Sequence, residues 1–206
     1  YTDSGTAENT SIAMFLDNGS ASRIMTCGNN TWSQLGDGTQ TQRNTPVTPT
    51  GVNFRVSKLI WSGGAPGQCW LLRPDGTLLN WGYGAQGSLG RGNTSNQPIP
   101  AQVDTGVIDV LLHNHSWSGW NYENASPIVR KADGYYRCGP GGYGQIGDGT
   151  TTNRLVLTKM RFPANIVFKA FGAQGGSSSR QTFYGVDTEN EIWAWGDNTY
   201  LSLIHI

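Results

Sequence analysis

What most limits the fold of this 206-residue chain is internal repetition. One segment recurs: Cys27-Gly28-Asn29-Asn30-Thr31-Trp32-Ser33-Gln34-Leu35-Gly36-Asp37-Gly38, then Trp81-Gly82-Tyr83-Gly84-Ala85-Gln86-Gly87-Ser88-Leu89-Gly90-Arg91-Gly92, then Cys138-Gly139-Pro140-Gly141-Gly142-Tyr143-Gly144-Gln145-Ile146-Gly147-Asp148-Gly149. A fourth copy opens as Trp195-Gly196-Asp197-Asn198-Thr199-Tyr200, and there the pattern breaks off. The copies start 54, 57 and 57 residues apart. Their surroundings repeat as well. Turn signals precede each copy: Asp17-Asn18-Gly19, Asp75-Gly76, Asp133-Gly134 and residues 187–190. Stretches rich in Thr and Asn follow the complete copies at 39–45, 93–97 and 150–153, and short apolar runs follow those at 54–61, 107–112 and 166–171.

No window sustains the i, i+3, i+4, i+7 spacing of an amphipathic helix. Strand-like pieces recur instead, at 12–16, 70–72, 77–81, 107–112, 166–171, 182–186 and 191–195. A unit near 55 residues with several short strands fits a propeller blade, since blade repeats run ~40–50 residues. Each unit would supply four strands, and stability would come from stacking on the next unit. Composition agrees. There are 29 glycines, about twice the ordinary share of ~7%, and charged residues are 14%, against an ordinary ~25%. That argues against a helical bundle, and eight tryptophans argue against a charged disordered segment. The expected fold class is all-β, a β-propeller fragment of about three and a half four-stranded blades.

The pattern Trp-Gly-x-x-x-x-Gly-Gln-Leu-Gly-x-Gly, a polar loop, then Pro-x-x-Val, resembles the regulator of chromosome condensation repeat. Residues 145–154, Gln-Ile-Gly-Asp-Gly-Thr-Thr-Thr-Asn-Arg, look like its bacterial and phage variants, and Pro46-Val47 and Pro100-Ala101-Gln102-Val103 fit the position that follows. The resemblance covers nearly the whole chain and implies a propeller usually closed with about seven blades. Within the repeat, a structural role is expected for Gly28, Leu35, Gly36 and Gly38 in the first copy and for Trp81, Gly82, Leu89, Gly90 and Gly92 in the second. The same role falls to Gly139, Ile146, Gly147 and Gly149 in the third copy and to Trp195 and Gly196 in the fourth. Glycines would shape tight loops, and the Trp, Leu and Ile positions would fill the space between blades. The chain departs from the family pattern where Cys27 and Cys138 replace the opening aromatic. It departs again where residues 63–68 lengthen the Gly-Gly-Ser-His turn, and where Leu155 stands in the place expected for Pro.

Motifs that carry chemistry are few. Gly82–Gly87 and Gly139–Gly144 match G-x-G-x-x-G, but loop sequence follows instead of the helix that would hold a pyrophosphate, so no cofactor is expected. Asp37 and Asp148 occupy matching loops with one carboxylate each, and Arg91 takes that place in the second copy; turn stabilisation fits better than calcium. His113 and His115 share a face only if they lie on a strand, and no third ligand accompanies them, so no metal is expected. Cys27, Cys69 and Cys138 have no metal-site spacing and read as free thiols. No carboxylate pair stands out, and no catalytic residue is nominated. Net charge is zero with no basic cluster, which excludes a nucleic-acid partner, and no apolar run is long enough for membrane insertion.

The most suggestive stretch is 113–124, His-Asn-His-Ser-Trp-Ser-Gly-Trp-Asn-Tyr-Glu-Asn, which lies where the family's Gly-Gly-Ser-His turn would fall. Two roles fit it. Trp117 and Trp120 pack between blades, or His115, Trp117, Trp120 and Tyr122 form an exposed aromatic loop that contacts a protein or glycan partner. The expected function is a non-enzymatic binding scaffold using propeller-face loops, placed in a bacterial surface or phage receptor-binding protein. The alternatives are an exchange-factor-like regulator of a small GTPase and an accessory domain of a larger enzyme. Extracellular, cell-surface or virion-associated settings fit the first. Residues 1–200 are expected to be part of a propeller whose other blades would be partners of these. Leu201-Ser202-Leu203-Ile204-His205-Ile206 resembles a translated sequencing adapter on a metagenomic fragment. Such an open fragment is expected to self-associate.

Overall fold

The computed structural model describes residues 11–17, 22–61, 67–111, 126–175 and 181–199. Residues 200–206, with the adapter-like hexapeptide, lie outside them. Among the described residues the regular structure is β-strand, apart from one short 3-10 turn at Ala85–Gly87. The chain divides into two compact units, Tyr1–Ala85 with Thr94–Val107, and Gln86–Asn93 with Ile108–Ile206.

The first unit holds two antiparallel sheets. One is ordered β1 (Ser11–Asp17), β2 (Ser22–Gly28), β3 (Arg43–Val47), and the other β4 (Lys58–Trp61), β5 (Gln68–Leu72), β6 (Leu78–Gly82), β7 (Gln97–Asp104). The second unit holds β9 (Val129–Lys131), β10 (Gly134–Gly139) and β11 (Arg154–Lys159), in a sheet whose order from β11 ends on β8 (Val107–Val110). It also holds β12 (Phe168–Gly175), β13 (Gln181–Asp187) and β14 (Ile192–Gly196) in chain order. Two sheets thus have four strands and two have three among the described residues. Each expected strand piece overlaps a strand, with four trimmed: the run 107–112 forms a strand only to Val110, and the pieces at 77–81, 166–171 and 191–195 begin at Leu78, Phe168 and Ile192. The outer strands β3, β7 and β11 begin inside or at the end of stretches that read as polar loop.

Those outer strands share one irregularity. Thr26 faces Val47 while Gly28 faces Arg43. Asn80 faces Ala101 while Gly82 faces Gln97, and Arg137 faces Thr158 while Gly139 faces Arg154. In each sheet a single residue, Cys27, Trp81 or Cys138, therefore lies opposite three on the outer strand, which bulges around it. The register corrects one sequence assignment. Leu157, not Leu155, matches Pro46 and Pro100, while Leu155 matches Pro98. Proline suits these positions because it sits on an edge strand beside a bulge, where a missing N–H costs no ladder bond.

Each unit has its own core. In the first, Ile24, Val52, Val56, Cys69, Leu71 and Trp81 are buried together, flanked by Phe54, Leu59, Trp61 and Leu79. In the second, Ile128, Tyr135, Met160, Phe168, Phe183 and Trp195 are buried together. That core is largely aromatic: Tyr135 meets Phe162, Phe168 and Phe171 edge-on, Phe183 stacks on Trp195 at 5.5 Å, and the Phe168 amide donates to the Tyr135 hydroxyl at 3.0 Å.

Candidate functional site

Antiparallel order gives each four-stranded sheet two different ends, and in the three-stranded β1-β2-β3 sheet the link from β2 to β3 takes the place of the third-to-fourth connection. One end carries the turn between its second and third strands, closed by an aspartate. Asp75 accepts from the Thr77 amide, and Asp187 accepts from the amides of Glu189 and Glu191 and from the Trp193 indole. The other end carries two connections, from first to second strand and from third to fourth. The third-to-fourth connection is the repeated segment, and it is built the same way each time.

Its opening residue reaches back to the copy before it. The Trp81 indole donates to the Gln34 carbonyl at 2.9 Å, the Cys138 thiol to the Ser88 carbonyl at 3.5 Å, and the Trp195 indole to the Gln145 carbonyl at 3.2 Å. Leu35, Leu89 and Ile146, just after those carbonyls, are buried. The glycine that follows has a left-handed backbone and lies against the same side chain. A β-carbon on Gly36 would come within 2.6 Å of the Trp81 ring, and one on Gly147 within 3.2 Å of the Trp195 ring. Gly90 faces the Cys138 sulfur at 3.1 Å in the same sense. Gly28, Gly82, Gly139 and Gly196 are left-handed as well. At Gly82 a β-carbon would sit 2.4 Å from the Gly67 carbonyl oxygen, and at Gly196 2.2 Å from that of Gln181. Gly38, Gly92 and Gly149 complete the loop with positive φ.

The loop carboxylates are spoken for. Asp37 accepts from the Thr39 amide at 3.0 Å and hydroxyl at 2.8 Å, from Asn30 Nδ2 at 3.0 Å and from Arg43 Nε at 2.6 Å. Asp148 accepts in the same way from Thr150 and from Arg154 Nε, the latter at 2.6 Å. Burial works to raise the Asp37 carboxyl, but the hydrogen bonds from Thr39 and Arg43 outweigh it and hold it below the usual range; Asp148 follows the same pattern with Thr150 and Arg154. These aspartates are built as turn clasps. Among the described residues no three His, Cys, Asp or Glu side chains group as metal ligands. All three cysteines are free thiols, and burial pushes Cys138 up to about 12 and raises Cys69 as well.

The first-to-second connection, at the same end, is the variable part. It spans 62–67 between β4 and β5, 111–128 between β8 and β9, and 176–180 between β12 and β13. His115, Trp117, Trp120 and Tyr122 all fall in the longest of these, outside the described residues, as does His113. What is described is its base. The Leu111 amide donates to the Ile128 carbonyl at 2.7 Å, and Ser126, Pro127 and Ile128 are buried. Two groups that the sequence reading did not single out hold this base. The Ser126 hydroxyl donates to the Cys138 carbonyl, and Arg137 Nε donates to the Ser126 carbonyl at 3.3 Å. The only sequence signal for them is that Arg137 breaks the neutral pattern of Thr26, Asn80 and Ala194. Aromatic side chains also stand in the repeated segments of each unit. Tyr143 is 38% exposed, and Trp32 meets Tyr83 edge-on at 5.0 Å.

Comparison with known proteins places this architecture. The family model described as "Regulator of chromosome condensation (RCC1) repeat" matches residues 75–111, from the turn before β6 to the end of β8. The chain is 24% identical over 182 residues to the E3 ubiquitin-protein ligase HERC2 of Mus musculus, covering 86% of this chain and 4% of that protein. It is 27% identical over 127 residues to the ultraviolet-B receptor UVR8 of Arabidopsis thaliana, covering 61% of this chain and 26% of the receptor. Among solved structures, human WBSCR16 superposes with a TM-score of 0.64 at 17% identity, over 91% of this chain and 45% of that one. Prp20p of Saccharomyces cerevisiae, described with binding properties to Gsp1p and histones, superposes with a TM-score of 0.62 at 18% identity, over 91% and 43%. The fold is that of a β-propeller fragment, and the chain spans less than half of each of these proteins.

Proposed function

The chain belongs to the regulator of chromosome condensation repeat family, and from that premise we propose that it is a non-enzymatic scaffold that binds a protein through the loop end of its sheets. One observation carries this reading. The third-to-fourth connections use their polar side chains on themselves, whereas the 111–128 connection at that same end is expanded far beyond its counterparts at 62–67 and 176–180. Recognition loops on a rigid scaffold vary in this way. Its Trp117, Trp120 and Tyr122, with His115, supply large rigid contact surface at low entropic cost, the composition of an adaptable protein-binding loop.

The test compares the chain with a Trp117→Ser/Trp120→Ser variant, each immobilised and exposed to a bacterial cell lysate, with bound proteins identified by mass spectrometry. The expected result is a defined protein captured by the chain and lost from the variant, while circular dichroism and the melting temperature match. A variant that unfolds would show that the tryptophans pack between blades. A variant that captures the same protein would remove the loop from the interface.

A further inference from the structure

Four residues before the glycine at the second place of each repeated segment stands an apolar or aromatic residue: Ile24, Leu78, Tyr135 and Ile192. Ile24 and Leu78 are fully buried and Tyr135 is 3% exposed, whereas Ile192 is 53% exposed. Register shows what surrounds it. Ile192 lies beside Val186, Ala194 beside Tyr184, and Ala170 across from Val186. These five side chains share one face of the β12-β13-β14 sheet, because paired and alternate residues project to the same side. All five are exposed or half-buried, and none is charged. The opposite face carries Phe168, Phe183 and Trp195 into the core of the second unit. The sheet is therefore covered on one side and leaves an apolar patch in water on the other.

Inside each unit the corresponding face is covered, and by the same kind of surface. In the first unit Ile24 packs with Cys69, Leu71 and Trp81 of the following sheet. In the second, Tyr135 packs with Phe168, Phe183 and Trp195 of the following sheet. The covering face carries the opening residue of the repeated segment, and two residues earlier it carries Leu79 or Trp193, packed against the same cores. The β1-β2-β3 sheet has that face as well. Met25 and Cys27 hold the positions of Leu79 and Trp81 on β2. Cys27 is half-buried where Trp81, Cys138 and Trp195 are buried, and Met25 is half-buried beside it. Among the described residues the chain thus presents one uncovered face of each kind, and inside both units those two kinds pack on each other.

We propose that the Ile192 face of the β12-β13-β14 sheet docks the Met25 face of the β1-β2-β3 sheet of a second copy, head to tail, repeating between copies the sheet-on-sheet contact made inside each unit. The contact uses sheet faces and stands apart from the loops of the proposed binding end. Sedimentation velocity on the full chain over roughly 1–100 μM tests it, and wild type should shift from monomer to dimer or larger. Ile192→Lys, which puts a charge on the docking face, should weaken association about tenfold or more, and Met25→Lys should do the same from the other side. Mixing the two variants should restore a one-to-one dimer, because each keeps the face that the other has lost. Val156→Lys, on the outer strand β11 and as exposed at 54%, should leave association unchanged. A wild-type chain that stays monomeric at roughly 100 μM, variants that do not complement, or a loss confined to Val156→Lys would each overturn the proposal. If Met25→Lys does not fold, maleimide labelling of wild type decides. Cys69 and Cys138 are buried, so labelling reads Cys27, which should react about threefold more slowly or less across the same range and at a constant rate in Ile192→Lys. Cys27 labelling that ignores concentration in an associating wild type would mean that copies meet through the Ile192 face alone, and head-to-tail docking would be wrong.

Discussion

At Gly36 the backbone is left-handed and the Trp81 indole occupies the space where a β-carbon would point, whereas at Gly92 the backbone is left-handed with nothing within 4 Å. The two positions separate conformational cost from steric cost. Gly92→Ala should lose about 1–2 kcal/mol from the left-handed backbone alone. Gly36→Ala should lose about 2–4 kcal/mol, because the indole that donates to Gln34 must also move. Urea midpoints compare them, and equal losses would mean that the Trp81 contact carries no weight. The clasps at Asp37 and Asp148 make a pH prediction. Both carboxyls are held below their ordinary value in the folded chain, so the unfolded chain takes up protons first on acidification. Their contribution is complete above ~3.9, the ordinary aspartate value, and drains away as pH falls through the depressed folded value. An Asp37→Asn/Asp148→Asn variant should therefore be less stable than wild type at neutral pH and converge on it as the pH falls through the depressed folded values. A gap that stays constant with pH would show that the clasps act by shape and not by charge.

Between elements, the bulged outer strands offer a packing exchange. Around Gly90 the neighbours are the Cys138 sulfur at 3.1 Å and Leu157 Cγ at 3.5 Å, whereas around Gly36 they are all atoms of Trp81. Where the second copy has Trp81 and Pro100 the third has Cys138 and Leu157, while the first pairs Cys27 with Pro46. Cys138→Trp should overpack the site by about 1–3 kcal/mol. Adding Leu157→Pro should recover part of that loss, and a double-mutant cycle should give a coupling of about 1 kcal/mol or more. Strict additivity would mean that the two substitutions are unrelated. The same comparison explains what the sequence made legible. Repeat spacing, the glycine and tryptophan positions, the aspartate turns and the inner strands were readable because each is a fixed residue type at a fixed interval. The outer strands were not. β3 and β7 carry proline, β3 and β11 are exposed or half-buried throughout, and all three bulge, so none shows two-residue alternation. The base of the long connection was hidden for another reason. Arg137 meets Ser126 and Phe183 through folding alone, and no spacing along the chain announces such a contact.

Across the whole molecule, the two units are interleaved in sequence. Gln86–Asn93 leaves β6 but belongs to the second unit, and Thr94–Val107 returns to the first. Inside the second unit that segment donates from the Gly92 amide to the Leu155 carbonyl at 2.7 Å, bridges Arg91 to Val156, and accepts the Cys138 thiol at Ser88. Replacing residues 86–93 by a Gly/Ser linker of equal length should therefore speed exchange in β10 and β11 more than in β5 and β6. The reverse order would place the segment with the first unit.

The back-reaching bonds also impose a schedule on synthesis. The carbonyl of Gln34 waits for an indole 47 residues later, and those of Ser88 and Gln145 wait for donors 50 residues later. At ~5–20 residues per second of translation, each slot stands open for roughly 2–10 seconds. Each of these three loops thus leaves the ribosome before the donor that closes it, so the nascent chain carries an unsealed loop carbonyl while the next strand is still being made.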